Sequence, residues 1–209
     1  VKNVTSSTYI KMMPQTTAVN LSVHFGTTGR LFPTNTACTS GSLAVGLAYE
    51  AIAYGSQDMM IAGGAEEFSV TQVAVFDTLF SASCKNDTPG LTPCAFDVSR
   101  SGLVIGDGAA TLILEEMEHA KARGARIIAE VAGFATNTDG SHVTQPNAAT
   151  MANALALALK DADLPPSAIG YVNAHGTATV LGDIAEGTAT HGVFGDNGVP
   201  VSTIKNYTG

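Results

Sequence analysis

Residues 37–64 read ACTSGSLAVGLAYEAIAYGSQDMMIAGG, and the succession of patterns inside them sets the class of fold. Small and hydroxyl residues suit a sharp turn, and they give way to a run in which Leu43, Leu47 and Tyr54 fall near one side with alanine at most other positions. That spacing predicts a helix over 42–54, packed on nearly all faces and deeply buried. Gly55 stops it, and DMMIAGG then reads as a short, fully buried strand ended by a glycine pair.

The same alternation of helix and strand continues outward. A second helix is expected over 70–81. GLVIGDGAATLIL (102–114) reads as strand, glycine turn and strand, followed by the short charged helix EEMEHAKARG (115–124) with Gly124 in the position after its end. A strand should start at Arg126 and run through IIAEVAGFA, before a helix at 148–161 stopped by LPP. The strand IGYVNAHG (169–176), a helix at 181–192 and the strand VPVSTIK (199–205) complete an α/β pattern. No internal repeat is evident. The segment 115–124, dense in acid and base, marks the expected boundary between two lobes, 1–124 and 125–209.

Composition narrows the function. The chain has 209 residues, 45% hydrophobic and 13% charged, with 22 glycines, which suits a soluble protein with a substantial core rather than a disordered one. A net charge of −8 with ten scattered basic residues argues against a nucleic-acid partner, which calls for Lys and Arg gathered on one face. Apolar runs such as LAVGL and MMIAGG break far short of the roughly 20 residues a membrane span needs, so no span is expected. Cys38, Cys84 and Cys94 are an odd number at no zinc-like spacing, and no leader is recognisable, so a cytoplasmic location and no metal are expected.

Two places carry chemistry. Cys38 lies in TNTACTSGS (34–42), where a strand-like run meets the start of the 42–54 helix. A thiol in the first helical turn has its thiolate stabilised by unpaired N–H groups and the helix dipole, which lowers its pKa and makes it a nucleophile. The bland alternative for this stretch alone is an inert, buried thiol. His175, in NAHGTATVLGD, follows the strand IGYV, so its imidazole sits at a strand's C-terminal end among the hydroxyls of Thr177 and Thr179. Open α/β sheets hold ligands at such ends. A lone histidine is more often structural, but with a helix-start cysteine it meets the Cys/His requirement for nucleophilic chemistry. Lys205, in STIKNYTG, again follows a strand, where a single lysine is ordinarily a solvated group.

Taken together, ACTSGS, IAGGAEE, GLVIGDGAATLILEEMEHAKARGA, NAHGTAT with GD and Glu186 after it, and STIKNYTG resemble the β-ketoacyl-(acyl-carrier-protein) synthases of fatty acid and polyketide synthesis. The resemblance runs the length of the chain, with its motifs in the family's order. It implies the thiolase-like fold, a five-layered αβαβα sandwich of two similar halves, and a homodimer. It also implies that the chain is an incomplete, internal fragment, because family members are about twice as long and place a second catalytic histidine just after the glycine of KNYTG.

Residue by residue, the resemblance makes Cys38 the nucleophile that accepts an acyl group from a carrier-protein thioester. His175 becomes the first catalytic histidine, which helps stabilise the enolate formed as malonyl thioester loses carbon dioxide. Lys205 and Glu186 match a lysine and a glutamate expected to form a buried ion pair that orients the histidine. Thr177 and Thr179 match hydroxyls that hydrogen-bond the phosphopantetheine arm. Acyl carrier protein is the implied partner, and neither cofactor nor metal is needed. The chain departs from the family pattern at Arg100-Ser101-Gly102-Leu103, where Arg-Asp-Gly-Phe is common, and at Cys94-Ala95, where many members have Arg-Pro. Gly187 sits inside a predicted helix at a cost of roughly 1 kcal/mol relative to alanine.

Four other classes compete. A degradative thiolase would use a second cysteine and glycine-rich histidine motifs that are absent here. A non-catalytic chain-length partner typically lacks the active cysteine, so Cys38 argues against it. A papain-like hydrolase fits poorly with GTAT after the histidine and with Lys205. A pure acyl-binding module needs no reactive thiol.

Overall fold

A computed structural model describes residues 5–142, 145–196 and 198–209. In chain order its elements are α1 (Ser6–Lys11), α2 (Thr16–Phe25), a 3-10 turn (Ala37–Thr39), α3 (Ser40–Ala53), β1 (Met59–Glu66), α4 (Val70–Thr78), a 3-10 turn (Pro89–Leu91), β2 (Gly108–Glu115) and α5 (Met117–Ala122). Then come α6 (Ala148–Asp161), a 3-10 turn (Pro166–Ala168), β3 (Val172–Asn173), α7 (Val180–Phe194), β4 (Val201–Ser202) and α8 (Lys205–Thr208). The chain forms two compact units, one of Val1–Ala65 with Ala109–Val131, the other of Glu66–Gly108 with Ala132–Gly209.

Helix starts follow the side chains that can satisfy free N–H groups. Asn147 accepts from the N–H groups of Ala149 and Thr150 to open α6 at the expected residue. Ser69 and Gln72 form a reciprocal capping box on α4, and the Glu116 side chain accepts from the His119 N–H to open α5. Just before α5, the Arg123 guanidinium and, more weakly, His119 hold the Glu115 carboxyl well below the usual range, at about 2, against the opposing effect of desolvation.

In the first unit β1 and β2 pair, and α3 follows the Cys38 turn. The expected deep burial of α3 and β1 is not observed. Only Gly46, Ala48 and Ala51 of α3 are buried, Tyr54 is 81% exposed, and β1 buries Ala62 alone while running through the glycine pair to Glu66. Alanine and glycine allow close approach but cover little area, and the larger residues, such as Leu112 and Ile113 of β2, face open space.

In the second unit β3 and β4 run parallel, with Val172 opposite Val201 and Asn173 opposite Ser202, and α6 packs against α7. Here too the buried apolar side chains are alanines, among them Ala174, Ala178, Ala185 and Ala189. Strand expectations need correction at several places. Residues 126–135 form no strand, 30–36 form none before Cys38, and Leu103 makes only an isolated bridge to Ala82. β3 and β4 are two residues each. A strand exists only as part of a ladder, and these apolar, β-favouring stretches lack a hydrogen-bonding neighbour among the described residues. No helix among the described residues is long and apolar enough to cross a membrane.

Candidate active site

The Cys38 turn is assembled from its neighbours' hydroxyls. Ser40 Oγ accepts from the Thr36 N–H at 2.8 Å and donates to the Ala37 carbonyl at 2.7 Å. Thr39 Oγ1 donates to the Thr36 carbonyl at 2.8 Å, and Thr34 Oγ1 donates to the Ser40 carbonyl at 3.1 Å. These bonds hold Ala37 at φ 52°, a conformation unfavourable for a residue with a Cβ and found where surroundings over-determine it. Cys38 therefore lies on a 3-10 turn one residue before Thr39, the N-cap of α3, rather than inside the first α-helical turn. Cys38 is exposed in this chain.

The second unit assembles the other expected residues. His175 leaves β3 just after Ala174, whose N–H donates to the Ser202 carbonyl of β4 at 2.8 Å. Both peptide groups at the bend are held by one carboxylate: His175 N–H donates to Glu186 Oε1 at 2.6 Å and Gly176 N–H to Glu186 Oε2 at 2.7 Å. Gly176 is required there, since its φ is 50° and an added Cβ would come within 2.8 Å of the Thr203 side chain. Thr203, nearly fully buried, joins the histidine and lysine motifs, because its hydroxyl donates to the His175 carbonyl at 3.3 Å and accepts from the Lys205 N–H at 3.2 Å. Lys205 opens α8.

The expected Glu186–Lys205 ion pair does not form; among the described residues no ion pair joins them. Glu186 is instead spent on the two backbone donors. A carboxylate that satisfies a bend's own N–H groups fixes where the imidazole starts, which orients the histidine by a different route. No ring nitrogen of His175 hydrogen-bonds to a described residue. Although His175 as a whole residue is exposed, desolvation by surrounding protein is the largest influence on its imidazole, and with the nearby Lys205 charge it pushes the pKa below its ordinary value. Glu186 and Asp183 oppose that shift without reversing it. The ring is consequently neutral at neutral pH, able to donate from one nitrogen.

Thr177 and Thr179 lie on the turn into α7 with their hydroxyls 2.8 Å apart. Gly182, in the first turn of the helix, leaves them room, since a Cβ there would clash with Thr179 Oγ1. Asp183 escaped a functional reading beyond its place in a motif. It is buried, and its carboxylate accepts from the Phe96 N–H at 2.7 Å and the Ala178 N–H at 3.1 Å while facing Arg100. The signal was present in the three-residue step from Asp183 to Glu186, which puts both acids on one face of α7 toward the 174–178 bend.

The model of the β-ketoacyl synthase N-terminal domain matches residues 2–120, and that of its C-terminal domain matches residues 128–209. The chain belongs to the β-ketoacyl synthase family. It is 44% identical over 209 residues to a 3-oxoacyl-[acyl-carrier-protein] synthase 2 of Vibrio cholerae, covering 97% of this chain and 50% of that protein. A crystal structure of a β-ketoacyl synthase from Burkholderia phymatum matches with a TM-score of 0.96 at 59% identity, over 98% of this chain and 50% of that one. A type II polyketide ketosynthase, solved in complex with its acyl carrier protein and bound to a hexaketide, matches with a TM-score of 0.93 at 34% identity, over 99% of this chain and 52% of that one. The fold is accordingly the thiolase-like α/β fold of ketosynthases, and the chain spans about half the length of these relatives.

Proposed function

We propose that the protein carrying this chain is a β-ketoacyl-acyl-carrier-protein synthase, with Cys38 as nucleophile and His175 as a donor to the developing enolate. The observation that carries the reading is the His175 bend, where a carboxylate fixes the backbone at a strand end and the ring nitrogens hydrogen-bond to no described residue. In the first half-reaction the Cys38 thiolate attacks the carbonyl of an acyl thioester, the carbon–sulfur bond breaks, and the carrier thiol leaves. In the second, malonyl thioester loses carbon dioxide and the electrons of the broken carbon–carbon bond form an enolate. The His175 N–H hydrogen-bonds the oxygen on which this charge grows. The enolate carbon then attacks the acyl-Cys38 carbonyl, giving the β-ketoacyl thioester and returning the thiolate.

Those electrons come from the malonyl group itself, so the proposed reaction calls for neither metal nor redox cofactor. Lys205 places positive charge beside the histidine, Glu186 positions it, and Thr177 and Thr179 receive the phosphopantetheine arm. Acyl carrier protein is the proposed partner, supported by the solved complex of the polyketide relative. A homodimer and a cytoplasmic location complete the reading.

The test separates the half-reactions in the protein as its gene encodes it. Cys38→Ala abolishes acyl loading, measured by mass, whereas His175→Ala retains some acyl-Cys38 and loses condensation by roughly 100-fold or more. Equal loss of both steps in His175→Ala would overturn the assigned role.

A further inference from the structure

The turn between His175 and α7 is held more completely than its own sequence requires. Ala178 is fully buried at φ 61°, a left-handed conformation for a residue with a Cβ, which persists only where surroundings fix it. The Gly102 N–H donates to the Ala178 carbonyl at 3.0 Å and the Ala178 N–H to Asp183. The remaining bonds come from one side chain. Arg100 Nε donates to the Thr179 carbonyl at 3.4 Å, Nη2 to the Val180 carbonyl at 3.2 Å and Nη1 to the Asp97 carbonyl at 2.9 Å, while Nε lies 3.5 Å from Asp183 Oδ2. The guanidinium is 15% exposed and the carboxylate 2%, so both are largely withdrawn from water.

We propose that Arg100 is a positioning residue that locks the 177–180 turn and thereby sets the grip of the Thr177 and Thr179 hydroxyl pair on a pantetheine thioester. This rests on the proposed role of those threonines. A planar fork reaches carbonyls on both sides of the helix start while remaining beside a buried acid; an ammonium is a point charge and cannot span them. Arg100 binds backbone carbonyls of the turn rather than either threonine hydroxyl, so its effect is exerted through the hydroxyl pair it holds. The Arg100-Ser101-Gly102 stretch therefore has a purpose that survives the loss of the acid and aromatic ring common beside it: Arg100 and Gly102 supply the bonds to the turn, and both are present.

The test uses Arg100→Lys, which retains a cation beside Asp183, in the protein as its gene encodes it. Hydrogen exchange is followed over residues 176–180, and acyl transfer is compared between acetyl-pantetheine and acetyl-N-acetylcysteamine, which lacks most of the arm. Exchange in the turn should rise about tenfold with the rest of the protein unchanged, and the preference for the pantetheine thioester should fall about tenfold through KM. If the native protein transfers acyl groups from neither thioester, the proposed function falls, and the lock is judged on exchange and on direct pantetheine binding, which should weaken by a similar factor. Unchanged exchange in the turn, or equal loss with both thioesters, would overturn the inference.

Discussion

Around Cys38 the side-chain hydrogen bonds join residues three to six positions apart, between Thr34, Thr36, Ala37, Thr39 and Ser40. Around His175 they reach much further: eleven residues to Glu186, 28 to Thr203, and 87 between Phe96 and Asp183. The side chain of Asn206 accepts from the Ala95 N–H across 111 positions. A turn built from local bonds forms whenever its short stretch of chain is free to close, since loop closure over a few residues is inexpensive. A bend held by distant partners exists only when the whole unit has folded, and it transmits any failure of that unit to the imidazole.

The sharpest way to break this contrast is to remove Glu186. In Glu186→Ala the buried Gly176 N–H loses its acceptor, and so does the N–H of His175. An orphaned buried donor and a lost charge-assisted bond together predict about 3 kcal/mol less stability, read by urea denaturation. Glu186→Gln, which keeps one acceptor oxygen, should lose less. A Glu186→Ala protein within about 0.5 kcal/mol of the native one would show that the bend is not held from α7.

The matching change in the local turn is Ser40→Ala. It removes the acceptor of the Thr36 N–H and the donor to Ala37. Thr36 is exposed, so water can replace the lost partner, and the expected loss is about 1 kcal/mol, in the range of a missing helix cap. Exchange should quicken at 36–40 and nowhere in the second unit. A loss as large as that of Glu186→Ala, or faster exchange around His175, would erase the distinction between the two regions.

The same contrast explains what could be read in advance. Helix α6 was legible because LPP stops it locally, and the structure opens it at Ala148 with Asn147 as its cap, another local property. The turn at Cys38 was legible for the same reason, apart from its 3-10 geometry. Residues 126–135 read as a strand because their propensity is local, whereas a ladder partner is not. The roles of Arg100 and Asp183 were hidden because their value lies in backbone groups some 80 positions away, which no spacing reveals. Glu186 was expected to pair with Lys205 and instead accepts from the His175 and Gly176 N–H groups, since sequence shows which charges exist but not which donors reach them first.

The smallest effect concerns protons. His175 has a folded pKa below its ordinary 6.5, chiefly from desolvation and secondarily from Lys205. As pH falls through 6.5 the unfolded chain takes up a proton that the folded one still refuses, so the unfolded state is favoured progressively. The loss ends only once pH has passed below the folded pKa. Stability contributed by this group is therefore fully present above 6.5 and declines across that window. The exposed part of the residue is screened by solvent, which keeps the effect below about 1 kcal/mol. Lys205→Met should move the imidazole pKa back toward its ordinary value without reaching it, because desolvation remains, and His175→Asn should remove this part of the pH dependence. Ring-proton titration by NMR, with urea midpoints at about pH 7.5 and about pH 5.5, measures both. An unchanged pKa in Lys205→Met would mean that the ammonium does not act on the imidazole, and the two strand ends would then be linked only through the β3–β4 backbone pairing and the Thr203 hydroxyl.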